Sequence, residues 1–438
     1  MTSQGQGKRP RVFYGWWLVA LTGLIMSLGS VPLFHALGVW SVALERQFQW
    51  SRTQLSFAFV LSRAEAGFLG PVEGYLSDRL GTRRMVLIGL SILGPGYFLF
   101  GQTHALWMFY LTYVIMSFGN GLGSWIPMVT ALNNWFLRRR STAVAWANVG
   151  NRLGALVLVP AIAWAVDPDA DRLGWQATAS ILGGVVLALA VPLYLVIRNR
   201  PEEYGQYPDG VPGPEAQSPS GPAAAPSSQA QDTGLTTREA LRTSAFWLVS
   251  FGHAFTVALL VTLSSHLALM LTDEEFGLSL QTAAWVITTY IATSMVCHPI
   301  GGYIGDHLPK NWAIFVSSVI QAASVFAITL THTAPMAFLF AVVFGIGDGG
   351  RNPLTLAIRG DYFGRRAYAT ILGMSQIPMN ITILMAPLLV GVYRDVWGSY
   401  NPPFLAVAAV SVLGGLMFLF SKNPMAQRSR AGGAASGD

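Results

Sequence analysis

Gly74-Tyr-Leu-Ser-Asp-Arg-Leu-Gly-Thr-Arg-Arg84 is an island of charge between two long apolar runs. Gly74 lets another helix approach closely, Gly81 permits a tight turn, and Asp78, Arg79, Arg83 and Arg84 cannot lie in hydrocarbon. The stretch therefore reads as a short loop at a membrane surface, joining two membrane-crossing helices. A solvated charge cluster between any two helices is the plainer reading, but it leaves the placing of the two glycines unexplained.

The rest of the chain agrees. Of its 438 residues 52% are hydrophobic and 11% charged, against about 25% charged in an ordinary soluble protein. This is the composition of an integral membrane protein, with room for about a dozen spans of ~20 apolar residues. The net charge of +6 does not point to nucleic acid, because the arginines are scattered between apolar runs and form no continuous basic face. The one cysteine, Cys297, lies in an apolar run, so neither a disulfide framework nor a cysteine-rich metal site is expected, and no cofactor is implied. The first apolar run is too long for a signal-peptide core and reads as a retained helix.

Apolar runs fall at about 14–42, 53–76, 85–103, 106–134, 141–166 and 174–197. Six more fall at about 244–271, 279–304, 311–330, 334–357, 366–393 and 401–421. Between the sets lies a stretch rich in Pro, Gly, Ala, Ser and Gln that cannot bury a core. The expected organisation is an all-α membrane protein with a tail at 1–12, a six-helix bundle at 13–198, a flexible linker at 199–240, a second bundle at 241–421 and a tail at 422–438. Twenty of the 27 lysines and arginines fall on the side of the two termini, and only Arg46, Arg52, Arg172 and Arg394 fall on the other. The positive-inside rule then puts both termini in the cytoplasm of a cell whose inner, or plasma, membrane holds the chain. Arg63, Arg152 and Arg351 remain within spans.

The second half carries a worn copy of the opening stretch. Gly302-Tyr-Ile-Gly-Asp306-His-Leu-Pro-Lys310 follows the eighth run as Gly74–Arg84 follows the second, keeping the glycine and the aspartate four residues later and losing the arginines. A repeat of this kind implies two parallel six-helix halves with a site near the midplane between them. The spacing G-x-x-x-D-R-x-G-x-R-R resembles, at every anchor, the loop between the second and third helices of the major facilitator superfamily. The resemblance implies a gate on the basic side, and the worn copy makes it strong in the first half and weak in the second.

Further residues narrow the resemblance. Phe13-Tyr-Gly-Trp-Trp17, Gly38-Val-Trp40, Phe48-Gln-Trp-Ser-Arg52, Asn134-Trp-Phe-Leu-Arg-Arg-Arg140, Gly174-Trp175 and Ala240-Leu-Arg-Thr-Ser-Ala-Phe-Trp247 are spread over nearly the whole chain. Together they resemble the bacterial monocarboxylate transporter and oxalate/formate antiporter group. The resemblance implies transport of small organic anions, often with a proton, by alternating access. Where animal members carry a lysine in span one, the nearest residue here is His35, and where they carry an aspartate and an arginine in span eight the chain reads Ser294 and His298. The oxalate-type lysine of span eleven has no counterpart, since none falls between Lys310 and Lys422.

Buried charge is the clue to cargo, because an arginine at mid-span costs about 2.5–3.5 kcal/mol on insertion scales and normally faces protein or water. Asp348 and Arg351 are three apart on one face of span ten. They read as a carboxylate clamp, with Asp348 holding Arg351 or titrating, or as a salt bridge that only locks helices. His35 and His298, in opposite halves, read as proton carriers or as helix–helix hydrogen-bonding residues; an imidazole titrates in the physiological range. Arg63 shares a face with Gly67, Gly70 and Gly74, a spacing that marks close packing and favours a structural or gating role over substrate binding. Glu65 points elsewhere, and Glu73 lies nearer the loop. Arg152 is a cavity arginine or a buried partner for Glu65 or Glu73. Trp125 and Asn380 complete the candidates for the cavity. Gly119-Asn-Gly-Leu-Gly123 and Gly345-Ile-Gly-Asp-Gly-Gly350 allow close packing or bending and lack the lysine of a phosphate loop.

The expected function is a secondary transporter, acting as a monomer, of a small monocarboxylate with a proton. The alternatives are an anion exchanger, a carrier of drugs or neutral solutes, and a receptor that binds without moving its ligand. The cytoplasmic gate would comprise Gly74, Asp78, Arg79, Gly81, Arg83, Arg84, Gly302 and Asp306. An enzyme is not expected, for there is no metal-ligand cluster or nucleophile–base arrangement.

Overall fold

The computed structural model describes residues 13–167, 172–211, 234–273, 275–330 and 332–428. The expected tail at 1–12, most of the linker and the end of the last tail lie outside the described residues. Among those described, twelve helical passes cross the molecule and the only β-pairing is one bridge, Gly234 to Gly364. The first pass is α1 (Tyr14–Ser30), a wide π-helical turn at Val31–His35, and α2 (Leu37–Phe48). Next come α3 (Arg52–Leu80) and α4 (Thr82–Gly101), then a fourth pass made of α5 (Leu106–Asn120), a second wide turn at Gly121–Trp125, and α6 (Ile126–Trp135). The first half ends with α7 (Arg140–Val166) and α8 (Gly174–Val196). A short α9 (Thr237–Leu241) leads to the second half: α10 (Ser244–Thr272), α11 (Leu280–His307), α12 (Lys310–Leu330), α13 (Ala334–Phe363), α14 (Tyr368–Trp397) and α15 (Asn401–Phe420).

Ten helices are each long and apolar enough to cross a bilayer. The other two passes are the fourth, which its wide turn splits into pieces of 15 and 10 residues, and α13, where Asp348 and Arg351 stand among glycines. Pro32 and Pro127 explain the wide turns: proline lacks the N–H and clashes with the carbonyl four residues back, and a shift of the hydrogen-bond ladder relieves the conflict. The carbonyls loosened at the first turn find side-chain donors, Trp40 Nε1 to the Pro32 oxygen at 2.8 Å and the Tyr113 hydroxyl to the Leu33 oxygen at 2.6 Å. Ser51 and Gln54 form a capping box that starts α3, and Gly81, at φ 81°, ends it in a conformation that suits glycine.

The halves meet mainly at the end that carries the basic loops. At Gly74, a Cβ would come within 2.2 Å of the Ala369 carbonyl oxygen; at Gly302 it would come within 2.8 Å of the Ser141 carbonyl oxygen. The two glycines thus let α3 touch α14 and α11 touch α7. One turn further along each helix an aspartate caps the other half. Asp78 accepts from the backbone N–H groups of Ala369 (3.1 Å) and Thr370 (2.8 Å), and from the Thr370 hydroxyl (2.6 Å). Asp306 accepts from the N–H groups of Ser141 (2.9 Å) and Thr142 (3.0 Å). The expectation of a weak second gate is therefore corrected: glycine and aspartate suffice for the contact, and Gly302–Lys310 keeps both.

The arginines of the opening stretch do not reach across. Arg83 donates to the Tyr194 carbonyl at 2.6 Å and stacks on the Tyr194 ring, its N–H bonds Asn199 at 2.8 Å, Arg79 bonds Tyr75, and Arg84 is exposed. They fasten the loop to its own half. At this end a cross-half ion pair comes instead from Arg140, 2.7 Å from Asp361, which also takes Lys310 at 2.7 Å. Arg140 and Arg359, read from sequence as loop cations, are buried, at 6% and 1% exposure. Beyond α8, Glu202 pairs with Arg365 at 2.7 Å, and Asp209 accepts from the N–H groups of Leu137 and Arg138. The beginning of the linker is thus bonded to both halves.

Candidate functional site

Away from the basic end the halves separate. A Cβ at Gly70 would still lie 3.3 Å from the Gly373 carbonyl, but one at Gly67, a turn deeper, would meet only Asn380 at 3.6 Å. There a cavity of about 260 Å³ begins, between the first, second, fourth and fifth passes of one half and α14 of the other. His35, Trp125 and Asn380 line it, as the sequence suggested. Both wide turns border it: His35 ends the first and Trp125 the second. Straight helices would have carried these side chains round to other faces.

Arg63 also lines the cavity. Its guanidinium lies 4.5 Å from the ring centre of Phe34 and 4.8 Å from that of Phe59. It makes no ion pair among the described residues, and its Nε is buried without a partner. Two aromatic faces hold a cation in place electrostatically while leaving its N–H edge free for an acceptor. The glycines that share its face do pack closely, but further along α3, at Gly70 and Gly74; at the level of Arg63 that face borders open space.

Glu65 and Glu73 are buried in the same wall. Glu65 accepts from the Ser117 hydroxyl at 2.7 Å. Although it leaves the helix on a different face from Arg63, and stands roughly 80° round from Glu73 at 3.6 residues per turn, it lines the same space. Gln376 and Asn380, from α14, face these acids across the cavity.

The Asp348 cluster lies outside the cavity lining. Arg351, 1% exposed, donates to Gln321 at 3.1 Å and to the Thr256 hydroxyl at 2.7 Å, and its terminal nitrogen is 3.7 Å from Asp348. Asp348 also accepts from Ser294 at 2.6 Å and, across the interface between the halves, pairs with Arg152 at 3.5 Å. Arg152 thus pairs with Asp348 and not with Glu65 or Glu73; its side chain is 24% exposed. His298 is buried, with Nδ1 2.6 Å from the Ser294 carbonyl. The structure therefore joins Asp348, Arg351, His298 and Arg152 in one cluster, and His35, Trp125, Asn380, Arg63, Glu65 and Glu73 in the cavity beside it. Arg351 stands apart from the cavity lining in this conformation, with Nε and one terminal nitrogen bonded and the other terminal nitrogen buried without a hydrogen-bond partner.

The family model for the Major Facilitator Superfamily matches residues 16–272 and 246–436. Monocarboxylate transporter 13 of Rattus norvegicus is 23% identical over 407 residues, covering 91% of this chain and 87% of that protein. The Hexuronate transporter of Escherichia coli (strain K12) is 22% identical over 424 residues, covering 92% of each. Among solved structures, that of the proton:xylose symporter XylE bound to 6-bromo-6-deoxy-D-glucose is similar in fold, with a TM-score of 0.71 at 13% identity over 94% of this chain and 96% of that one.

Proposed function

Because the chain belongs to the Major Facilitator Superfamily, we propose that it is a secondary transporter of a small organic anion, a monocarboxylate, moved by alternating access together with a proton. The observation that carries the reading is Arg63: a cavity-lining guanidinium between Phe34 and Phe59, with no carboxylate paired to it among the described residues. In a cavity largely shielded from water, such a group binds a carboxylate by charge-assisted hydrogen bonds. His35, which lines the same cavity, supplies a second positive charge when protonated. The names of the relatives point to the same substrate class.

A hydroxylated acid is the second reading, favoured by the buried amides. Gln376 and Asn380 line the cavity with side-chain oxygens that have no partner, and either amide can bond a hydroxyl. With the basic end placed in the cytoplasm, this conformation faces outward, its cytoplasmic end shut by Asp78 and Asp306. The experiment is uptake by the purified chain in liposomes of labelled lactate, pyruvate, glucuronate and oxalate, with and without an inward proton gradient. Gradient-driven uptake of a monocarboxylate that is lost in Arg63→Gln is expected. Equal uptake of a cationic or uncharged solute by both proteins would overturn the reading.

A further inference from the structure

Two carboxylic acids in the cavity wall have no part in holding an anion, and they repel one. Glu65 is 9% exposed and Glu73 3%. Neither makes an ion pair among the described residues, and one oxygen of each, Glu65 Oε1 and Glu73 Oε1, is buried without a hydrogen-bond partner. Their carboxyl groups lie within hydrogen-bonding reach of each other.

The space they occupy is built for them. A Cβ at Gly121 would fall 2.2 Å from Glu73 Oε1, so the glycine that opens the second wide turn makes room for that carboxyl. On α5, Ser117 donates to Glu65. From the other half, α14 presents Gln376, 6% exposed, whose Oε1 is also without a partner and which lines the same cavity. The charged or titratable groups lining the cavity with the pair are Arg63 on its own helix and His35 on the first pass, with Tyr113 of α5 near Arg63 and Arg152 of α7 near His35; α14 lines it with Gln376, Met379 and Asn380, none of them charged.

Two neighbouring carboxylates in one buried wall cannot both stay ionised, and a proton taken up by the pair supplies the donor that their unpartnered oxygens lack. We propose that Glu65 and Glu73 form the proton-binding site of this transporter: one proton is held between the two carboxyls here, and leaves when the halves rearrange. Hydronium entering from the cavity gives its proton to a carboxylate oxygen, forming one O–H bond and leaving water; the reverse step releases it on the other side. The inference deepens the proton-coupled reading above and rests on it for the transport step, while proton binding itself can be tested without a substrate. The pair replaces His35, His298 and Asp348 as the coupling group. His298 and Asp348 lie outside the cavity lining, and His35 has no carboxylate partner in it.

Infrared spectra of the full chain in phosphatidylcholine–phosphatidylglycerol liposomes, titrated with acid and base, should show a protonated-carboxyl band near neutral pH that Glu65→Gln/Glu73→Gln removes. A band unchanged in that double variant, with size-exclusion profile and thermal unfolding like the parent's, would overturn the proposal. A band that disappears on adding sodium at fixed pH would also overturn it, in favour of a metal-cation site. For transport, a gradient of about one pH unit allows one coupled proton to drive about tenfold accumulation of labelled lactate, and Glu73→Gln should bring that ratio to about one. Tenfold accumulation by Glu73→Gln would overturn the coupling role. Failure of the parent chain to move any acid offered would overturn the substrate reading alone, because the infrared result stands apart from it.

Discussion

The carboxylate of Asp78 accepts the backbone N–H of Thr370 at 2.8 Å, although 292 positions separate the two residues in the chain. A helix of one half is capped by a side chain of the other, and Asp306 returns the arrangement at Ser141. A cap of this kind contributes about 0.5–2 kcal/mol, more than a typical exposed ion pair. Asp78→Ala should speed amide hydrogen exchange at Ala369 and Thr370 about fivefold, the equivalent of ~1 kcal/mol. It should leave Ser141 and Thr142 nearer their original rates, with Asp306→Ala giving the mirror result. Equal exchange in parent and variants would count against the caps.

Glycine size is a second handle on the same closure. Gly74→Ala and Gly302→Ala each place a methyl against backbone of the opposite half, at 2.2 and 2.8 Å, where no side chain can swing aside. Both variants should fold yet disfavour the state with the basic end shut, seen as a longer distance between spin labels across that end. Gly38→Ala, which meets nothing within 4 Å, is the matched control and should leave the distance unchanged.

Arg63 carries the anion reading, so its removal should act on affinity. A charged hydrogen bond contributes about 1.5–3 kcal/mol, so Arg63→Gln should weaken binding of the transported acid about 10- to 100-fold by isothermal titration. Phe34→Leu, which removes one of the two aromatic faces, should weaken it less, by about 0.5–1 kcal/mol. Arg63→Gln with unaltered affinity would move the site elsewhere.

The Asp348 cluster makes a prediction about stability. Asp348 is wholly buried between Arg351 and Arg152, so Asp348→Asn leaves the Arg351 charge unpaired in the interior. Loss of one partner of a buried pair costs about 3–5 kcal/mol. Thermal unfolding in detergent should therefore drop steeply in Asp348→Asn and recover in part in Asp348→Asn/Arg351→Gln. Arg152→Gln, which removes a part-exposed charge, should cost less than either single change at the buried pair.

The helices and the loop at Gly74–Arg84 were legible from sequence because hydrocarbon imposes one rule on every span, and because charge and glycine mark where a span ends. His35, Trp125 and Asn380 were legible as polar or amphipathic residues inside apolar runs. The meeting of Arg63, Glu65 and Glu73 in one cavity wall was not legible, for a different reason. A helical wheel ranks faces of a lone straight helix, whereas the cavity wall depends on the bends at Val31–His35 and Gly121–Trp125, on Gly121 leaving space, and on side chains of α14 brought from 300 residues away. Arg152 and Asp348 could not be matched in advance, since their contact crosses between halves and nothing in local spacing reports it. The second aspartate was undervalued because loss of its arginines looked like loss of its task. The structure separates the two: aspartate joins the halves, and arginine trims the loop.

The reciprocal capping by Asp78 and Asp306 makes the chain an internal homodimer. Its interface is isologous in the sense used for two-fold oligomers, where patch A of one copy meets patch B of the next and the reverse contact comes with it. The glycine–aspartate contact is used twice in this surface, and a change to one copy leaves its twin in place. The two halves are therefore free to diverge inside, one acquiring bends and acids, the other a buried arginine cluster, for as long as each retains one glycine and one aspartate at its edge.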